Sequence, residues 1–130
     1  MNIIVAETVC NRRDGLPAQN TVLMLEDQLR SVGHDVDVIE LPFNRGGDQL
    51  AQLLAFRLLT VSGADALIAV GLPACALEHP RLIAWCRPAD WSPHLDPEAH
   101  AVLTASVDGA MVVVSDMGVT AIKAIESGLQ

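Results

Sequence analysis

The stretch Gly63–Trp91, GADALIAVGLPACALEHPRLIAWCRPADW, decides how this chain reads. It holds two apolar runs, Ala66–Val70 and Leu82–Trp85, and each breaks off into proline and polar residues. Neither run alternates. A strand with one wet face alternates apolar and polar residues, whereas a strand covered on both faces of a parallel sheet is apolar throughout. The carboxyl ends of such strands open onto the edge where α/β folds place their ligands. The two runs therefore read as parallel strands, and their abrupt ends as the functional edge.

The rest of the chain extends this pattern. Asn2–Val9 is β-branched and apolar and predicts a first strand, followed by the polar loop CNRRDGLPAQN with Gly15 and Pro17 as breakers. Asn20 is the expected cap of a helix that carries Val22, Leu25, Leu29 and Val32 at helical spacing and stops at Gly33. The alternating segment after His34 predicts a second strand ending at Pro42. NRGGD (Asn44–Asp48) then forms a turn, with Asp48 as cap. Leu50, Leu53, Leu54, Leu58 and Val61 predict a second helix stopped by Gly63. Beyond the opening stretch, Asp96 as cap, Pro97 in the first turn and Glu98 beside the helix dipole mark a helix start, and Asp108-Gly109 its end. Met111–Val114 is a fifth strand. Asp116 is the expected cap of a last helix with Val119, Ile122 and Ile125 on one face, ended by Gly128. Strands alternating with helices imply a parallel sheet with right-handed crossovers. The prediction is one α/β, Rossmann-like domain over residues 1–130, in three layers, with strand order 3-2-1-4-5 and helices on both faces.

Composition excludes several function classes. The chain has 130 residues, 51% of them hydrophobic and 18% charged, which suits a real core rather than disorder. Its net charge of −8 lacks the electrostatic footprint of a nucleic-acid binder, and scattered Lys and Arg make no polybasic membrane patch. Cys10, Cys75 and Cys86 are odd in number and form no CxxC, so they suggest neither a disulfide framework nor a zinc site. A reducing, cytoplasmic setting fits best. The first apolar run lacks the basic flank and the length of a signal peptide or membrane span.

The loops at the predicted strand ends carry no decisive motif. GxGxxG, GxxxxGK[ST] and GxSxG are all absent, so a dinucleotide site, a P-loop and a hydrolase elbow are unsupported. The loop with Glu7, Thr8, Asn11, Arg12, Arg13, Asp14 and Gly15 reads either as an anion seat before a helix or as a solvated loop. NRGGD reads as a plain turn. His79, before a proline, is expected to be extended and structural; His94 lies near the strand-four loop. Trp85 reads as core, whereas Trp91 reads equally as packing and as a ligand or domain contact. Arg87 has the fork geometry for a phosphate or carboxylate. Ser115 has no evident base.

The ordered features of the chain resemble the amino-terminal half of the retaining, two-domain GT-B glycosyltransferases of the family-4 type. The shared features are Gly33-His34-Asp35-Val36-Asp37-Val38 after the first helix, Asp65 before strand three, Pro73-Ala74, His79-Pro80, Trp85, and Val114-Ser115 leading into MGVTAIKAIESGL. The likeness spans most of the chain. It implies an acceptor-binding domain of a nucleotide-sugar-dependent transferase, with the sugar acceptor and the nucleotide-sugar donor as partners. The donor-binding Arg, Lys and paired glutamates of that family belong to a carboxyl-terminal domain that would begin near Gln130. The 130 residues alone are thus expected to be inactive and to bind no cofactor or metal tightly. Gly15, Arg87, Asp90 and Ser115 are the expected cleft-lining residues; none is assigned as a catalyst. One departure stands out: members with the His-Pro-to-Trp pattern carry a histidine soon after the tryptophan, where this chain has Cys86-Arg87-Pro88. The competing reading is a complete small α/β protein that binds a ligand or partner without catalysis; a downstream reading frame with a paired-glutamate motif would discriminate the two. Leu16, Leu72, Trp91 and Met117 are expected to form a bare apolar surface that supports a weak homodimer.

Overall fold

The computed structural model describes residues 1–130. Its elements are β1 (Asn2–Val9), α1 (Gln19–Ser31), β2 (Asp35–Pro42), α2 (Gln49–Phe56), β3 (Ala66–Val70), a 3-10 turn (Leu72–Ala76), β4 (Leu82–Trp85), the short α3 (Pro88–Trp91) running into a 3-10 turn (Ser92–His94), α4 (Pro97–Asp108), β5 (Val112–Val114) and α5 (Thr120–Gly128). All five strands are parallel and form one sheet in the order β2-β1-β3-β4-β5. The protein is therefore α/β with a Rossmann-like parallel sheet. No helix is long and apolar enough to cross a membrane.

The order differs from the expected 3-2-1-4-5, and the residues explain why. Every residue of β3 is buried, so this uninterrupted run takes the centre, between β1 and β4. β2 carries Asp35, Asp37 and Glu40, all exposed, and takes the edge, where one side of the strand needs no neighbour. The chain consequently reverses direction across the sheet between β1 and β3, and this is the topological switch point.

Each sheet face buries its own core. α1 contributes Val22, Leu25 and Leu29, and α5 contributes Ala121, Ile122 and Ile125, against Ile3, Val5, Ile68, Ile83 and Trp85. On the opposite face Leu53 and Phe56 of α2, Ala99 and Leu103 of α4, the first 3-10 turn and Trp91 cover Ala6, Leu67, Ala69 and Ala84. Burying each large aliphatic side chain contributes about 1.5–3 kcal/mol relative to exposure, so these two stripes hold the layers together.

Several local expectations change. α1 begins before Asn20: Ala18 occupies the cap position and makes no side-chain cap, because Pro17 sets the entry and the helix starts two residues after it. α2 ends at Phe56, since the chain must turn back to reach β3; Leu54 is half-exposed and Leu58 is 84% exposed, outside the helix. Val61 still reaches the core. Asp48 caps α2 as expected, accepting a 3.0 Å hydrogen bond from the Ala51 amide. Asp96 occupies the cap position of α4 but its side chain makes no capping bond. Asp116 does not cap α5 directly. Its carboxylate accepts from the Gly118 N–H in the preceding turn and from the O–H of Thr120, the first residue of α5, which lowers its pKa, and Val119 faces solvent. Leu16, Leu72 and Trp91 are buried and Met117 is half-buried, so the bare apolar surface expected of them is not present.

Candidate binding site at the carboxyl edge

Three of the four sequence-derived site residues meet where β4 and β5 end. Arg87 Nε donates to the Ser115 carbonyl at 2.7 Å, and its Nη1 lies 3.7 Å from Asp90 Oδ2. These groups engage one another: the guanidinium joins the ends of two adjacent strands. Cys86, which stands at the position just after Trp85, is fully buried. The thiol of Cys75 is raised by its hydrogen bond with Cys86 and by burial, which keeps it protonated. Trp85 is core, as expected, with its indole N–H bound to the Asp116 carbonyl at 2.7 Å.

Gly15, the fourth, is the seat of Trp91. It adopts φ +78°, and a Cβ there would lie 2.6 Å from Trp91 Nε1. The indole N–H donates to the Gly15 carbonyl at 3.0 Å. Trp91 is fully buried, edge-on to Phe43 and beneath the Arg45 guanidinium, which sits 4.9 Å from the ring centroid. Packing is therefore its role, and direct ligand contact is not: Gly15, Phe43 and Arg45 close the slot around it.

Two further residues complete this tether, and sequence reasoning missed both. Arg45 donates to the Asp14 carbonyl at 2.9 Å. Gln49, 2% exposed, donates to the Arg45 and His94 carbonyls at 2.9 and 2.8 Å and accepts from the Asp96 amide at 2.8 Å. The loops after β1, β2 and β4 thus form one connected body. No sequence signal links a turn arginine to a tryptophan far along the chain. The NRGGD segment otherwise behaves as a turn, closed by the Asn44 side chain on Gly46 N–H. His79 is structural, bonded to the Ala64 carbonyl at 2.8 Å and to the Arg81 amide at 2.9 Å.

A cavity of about 150 Å³ opens beside the switch point, lined by Glu7, Thr8, Val9, Arg13, Leu16, Gln19, Val22, Glu40 and Val70. The sheet register places Glu7 between Glu40 on β2 and Val70 on β3. Gly71 follows β3 at φ +88°, ψ 151°, so close to the β1 loop that a Cβ would lie 2.5 Å from Leu16 Cδ2. Thr8 spends its hydroxyl oxygen on the Ala74 amide at 3.2 Å. Arg13 donates to the Pro17 carbonyl.

Behind Glu7 lies Glu26 of α1, only 5% exposed. No ordinary donor reaches its buried Oε2. Its neighbour on β1 is Glu7, and each carboxyl group disfavours the charge of the other. Burial first, then the hydrogen bond and repulsion from Glu26, then repulsion from Glu40, push the Glu7 pKa to about 7 against the pull of Arg13. Glu26 carried a legible signal, since it falls on the Val22–Leu25–Leu29 stripe where a charge is unexpected. The arrangement suits hydroxyl groups, which both donate and accept, better than phosphates, which meet carboxylates and one occupied arginine. No cluster of three or more His, Cys, Asp or Glu is arranged to hold a metal ion.

No protein-family model matches the chain, and no curated protein or solved structure matches it.

Proposed function

We propose that the chain is the acceptor-side domain of a retaining, nucleotide-sugar-dependent GT-B glycosyltransferase, and that it is inactive until a donor-binding domain closes over its carboxyl edge. The observation that carries this reading is the switch-point cavity. Complete ligand pockets span roughly 300–1,000 Å³, and a polar cavity of about 150 Å³ beside a braced edge suits one wall of a two-domain cleft. Its carboxyl groups favour a hydroxylated acceptor and disfavour the donor diphosphate, which leaves the donor to the partner domain. Arg87, Asp90 and Ser115 brace the ends of β4 and β5, Gly15 seats Trp91, and Cys86 is too buried to stand in for a reaction-centre histidine. A cytoplasmic location belongs to the same proposal.

One observation favours a second reading. The order β2-β1-β3-β4-β5 is that of self-contained, single-domain ligand binders as well, so a complete non-catalytic α/β binding protein is the alternative. Calorimetry with UDP- and GDP-sugars, combined with amide-shift titration using simple sugars, separates the two. The acceptor-side reading expects no micromolar nucleotide-sugar binding and sugar-induced shifts along the carboxyl edge. A micromolar nucleotide-sugar complex of the 130 residues, or no shift with any sugar, would overturn it.

A further inference from the structure

We propose that the switch-point cavity seats a primary ammonium group, so that the acceptor is a hydroxylated amine such as an amino sugar, with Glu7 and Glu40 as its direct partners. The inference rests on the acceptor-side reading and deepens it. Ile3, Val5 and Glu7 alternate along one face of β1. The first two pack in the core beneath α1, and the third, where the strand reaches the cavity, is a half-buried acid. Its register partner on β2 is Glu40, which lines the same cavity. Like charges set side by side destabilise a sheet, so this position favours a cation. Glu26 points the same way independently. It lies one helical turn beyond Val22, which lines the cavity, and its carboxyl group rests against that of Glu7. The residue is 5% exposed, and its Oε2 has no hydrogen-bond partner. A buried acceptor without a donor is destabilising, and the chain itself supplies none.

The charges facing this point do not balance. Glu7 comes from β1, Glu40 from β2 and Glu26 from α1; the cation among them is Arg13 of the β1–α1 loop, and β3 contributes only Val70. Arg13 already donates to the Pro17 carbonyl. Burial, then Glu26, then Glu40 push the Glu7 pKa to about 7, and a bound cation would relieve both repulsions. The acids are not grouped to hold a metal ion. An ammonium group differs from a metal ion: it carries three donors and no acceptor on a carbon stem, which matches acceptors that lack donors. A phosphate would meet the same acids as repulsion. The cavity, at about 150 Å³, is smaller than a complete ligand pocket of roughly 300 Å³ or more. It therefore takes one functional group with its attached carbons and leaves the hydroxyls of the acceptor to the open edge.

The test is an amide-shift titration of the full chain at pH 7 and constant ionic strength. The probes are glucose, glucosamine, 6-amino-6-deoxyglucose, N-acetylglucosamine and glucose 6-phosphate, with magnesium chloride as an inorganic cation. At least one of the two amino sugars is expected to shift the residues around the cavity and to bind on the order of tenfold more tightly than glucose or N-acetylglucosamine, because charge-assisted hydrogen bonds replace neutral ones. Glucose 6-phosphate should bind most weakly. Glu7→Gln and Glu40→Gln should each bring the amino sugar close to glucose. Glu26→Gln should weaken amine binding yet melt no earlier than wild type, since the Glu26 Oε2 has no partner to lose. An earlier melt with unchanged amine affinity would make Glu26 merely structural and overturn its part in the site. Amino sugars that bind no better than glucose, tighter binding of glucose 6-phosphate, magnesium that reproduces the shifts, or an amine preference that survives both Glu7→Gln and Glu40→Gln overturns the proposal. The wild-type comparisons decide the matter even if a variant does not fold. Sugar shifts along the carboxyl edge without amine preference overturn it while leaving the acceptor-side reading intact; no shift with any sugar overturns both.

Discussion

Gly71→Ala tests whether the switch point is as closely packed as the geometry indicates. The residue sits at φ +88°, ψ 151°, a region open essentially to glycine alone, and forcing another residue there costs about 1–3 kcal/mol. The added Cβ would stand 2.5 Å from Leu16 Cδ2, 2.9 Å from Thr8 Oγ1 and 3.0 Å from Thr8 Cβ. Leu16 can swing away at its tip. Thr8 cannot: it is β-branched, and its oxygen holds the Ala74 amide. Overpacking of this kind adds about 1–3 kcal/mol, so the total should reach roughly 3–5 kcal/mol, a large part of the ~5–15 kcal/mol stability of a typical domain. The melting temperature should drop by roughly 10 °C or more. Gly63→Ala is the control, because nothing lies within 4 Å of a Cβ there and φ is not positive; its effect should stay within about 0.5 kcal/mol. Urea unfolding followed by circular dichroism reads both. A Gly71→Ala variant within 0.5 kcal/mol of wild type, or one no worse than Gly63→Ala, would refute the packing argument.

Gln49→Ala should cost about 2–3 kcal/mol, since it removes three hydrogen bonds and strands the Asp96 amide; amide exchange should accelerate at residues 94–96. Because Glu7 binds its proton more tightly folded than unfolded, its contribution is full below about pH 4.5 and is lost as pH rises toward about 7. Thermal melts should accordingly show wild type losing stability over that window and Glu7→Gln losing less. Leu58→Lys should change stability by no more than about 0.5 kcal/mol, whereas Leu53→Ala, at a fully buried position, should cost about 2–5 kcal/mol in the same denaturation assay.

The sequence by itself determined the layers and most element positions. Asn2–Val9, Ala66–Val70 and Leu82–Trp85 are strands with the expected bounds, because an apolar run between breakers encodes its own limits. The strand order was only partly legible: Asp35, Asp37 and Glu40 mark β2 as an edge strand, but β4 and β5 are as free of polar residues as β3, and β5 nevertheless lies at the other edge. Helix ends were less legible. Leu58 continues the spacing of α2 yet lies outside it, since the path back to β3, rather than periodicity, sets where the helix stops. Of the candidate site, Arg87, Asp90 and Ser115 were found because they follow strand ends directly. Their mutual bonding, and the commitment of Gly15 to Trp91, depend on the angle at which loops from different strands meet. The pairing of Glu7 with Glu26 is likewise a tertiary matter. Periodicity puts Glu26 on the buried stripe, but only the packing of α1 on β1 brings a second carboxyl group against it, and burial beside that carboxyl group is what pushes the Glu7 pKa up.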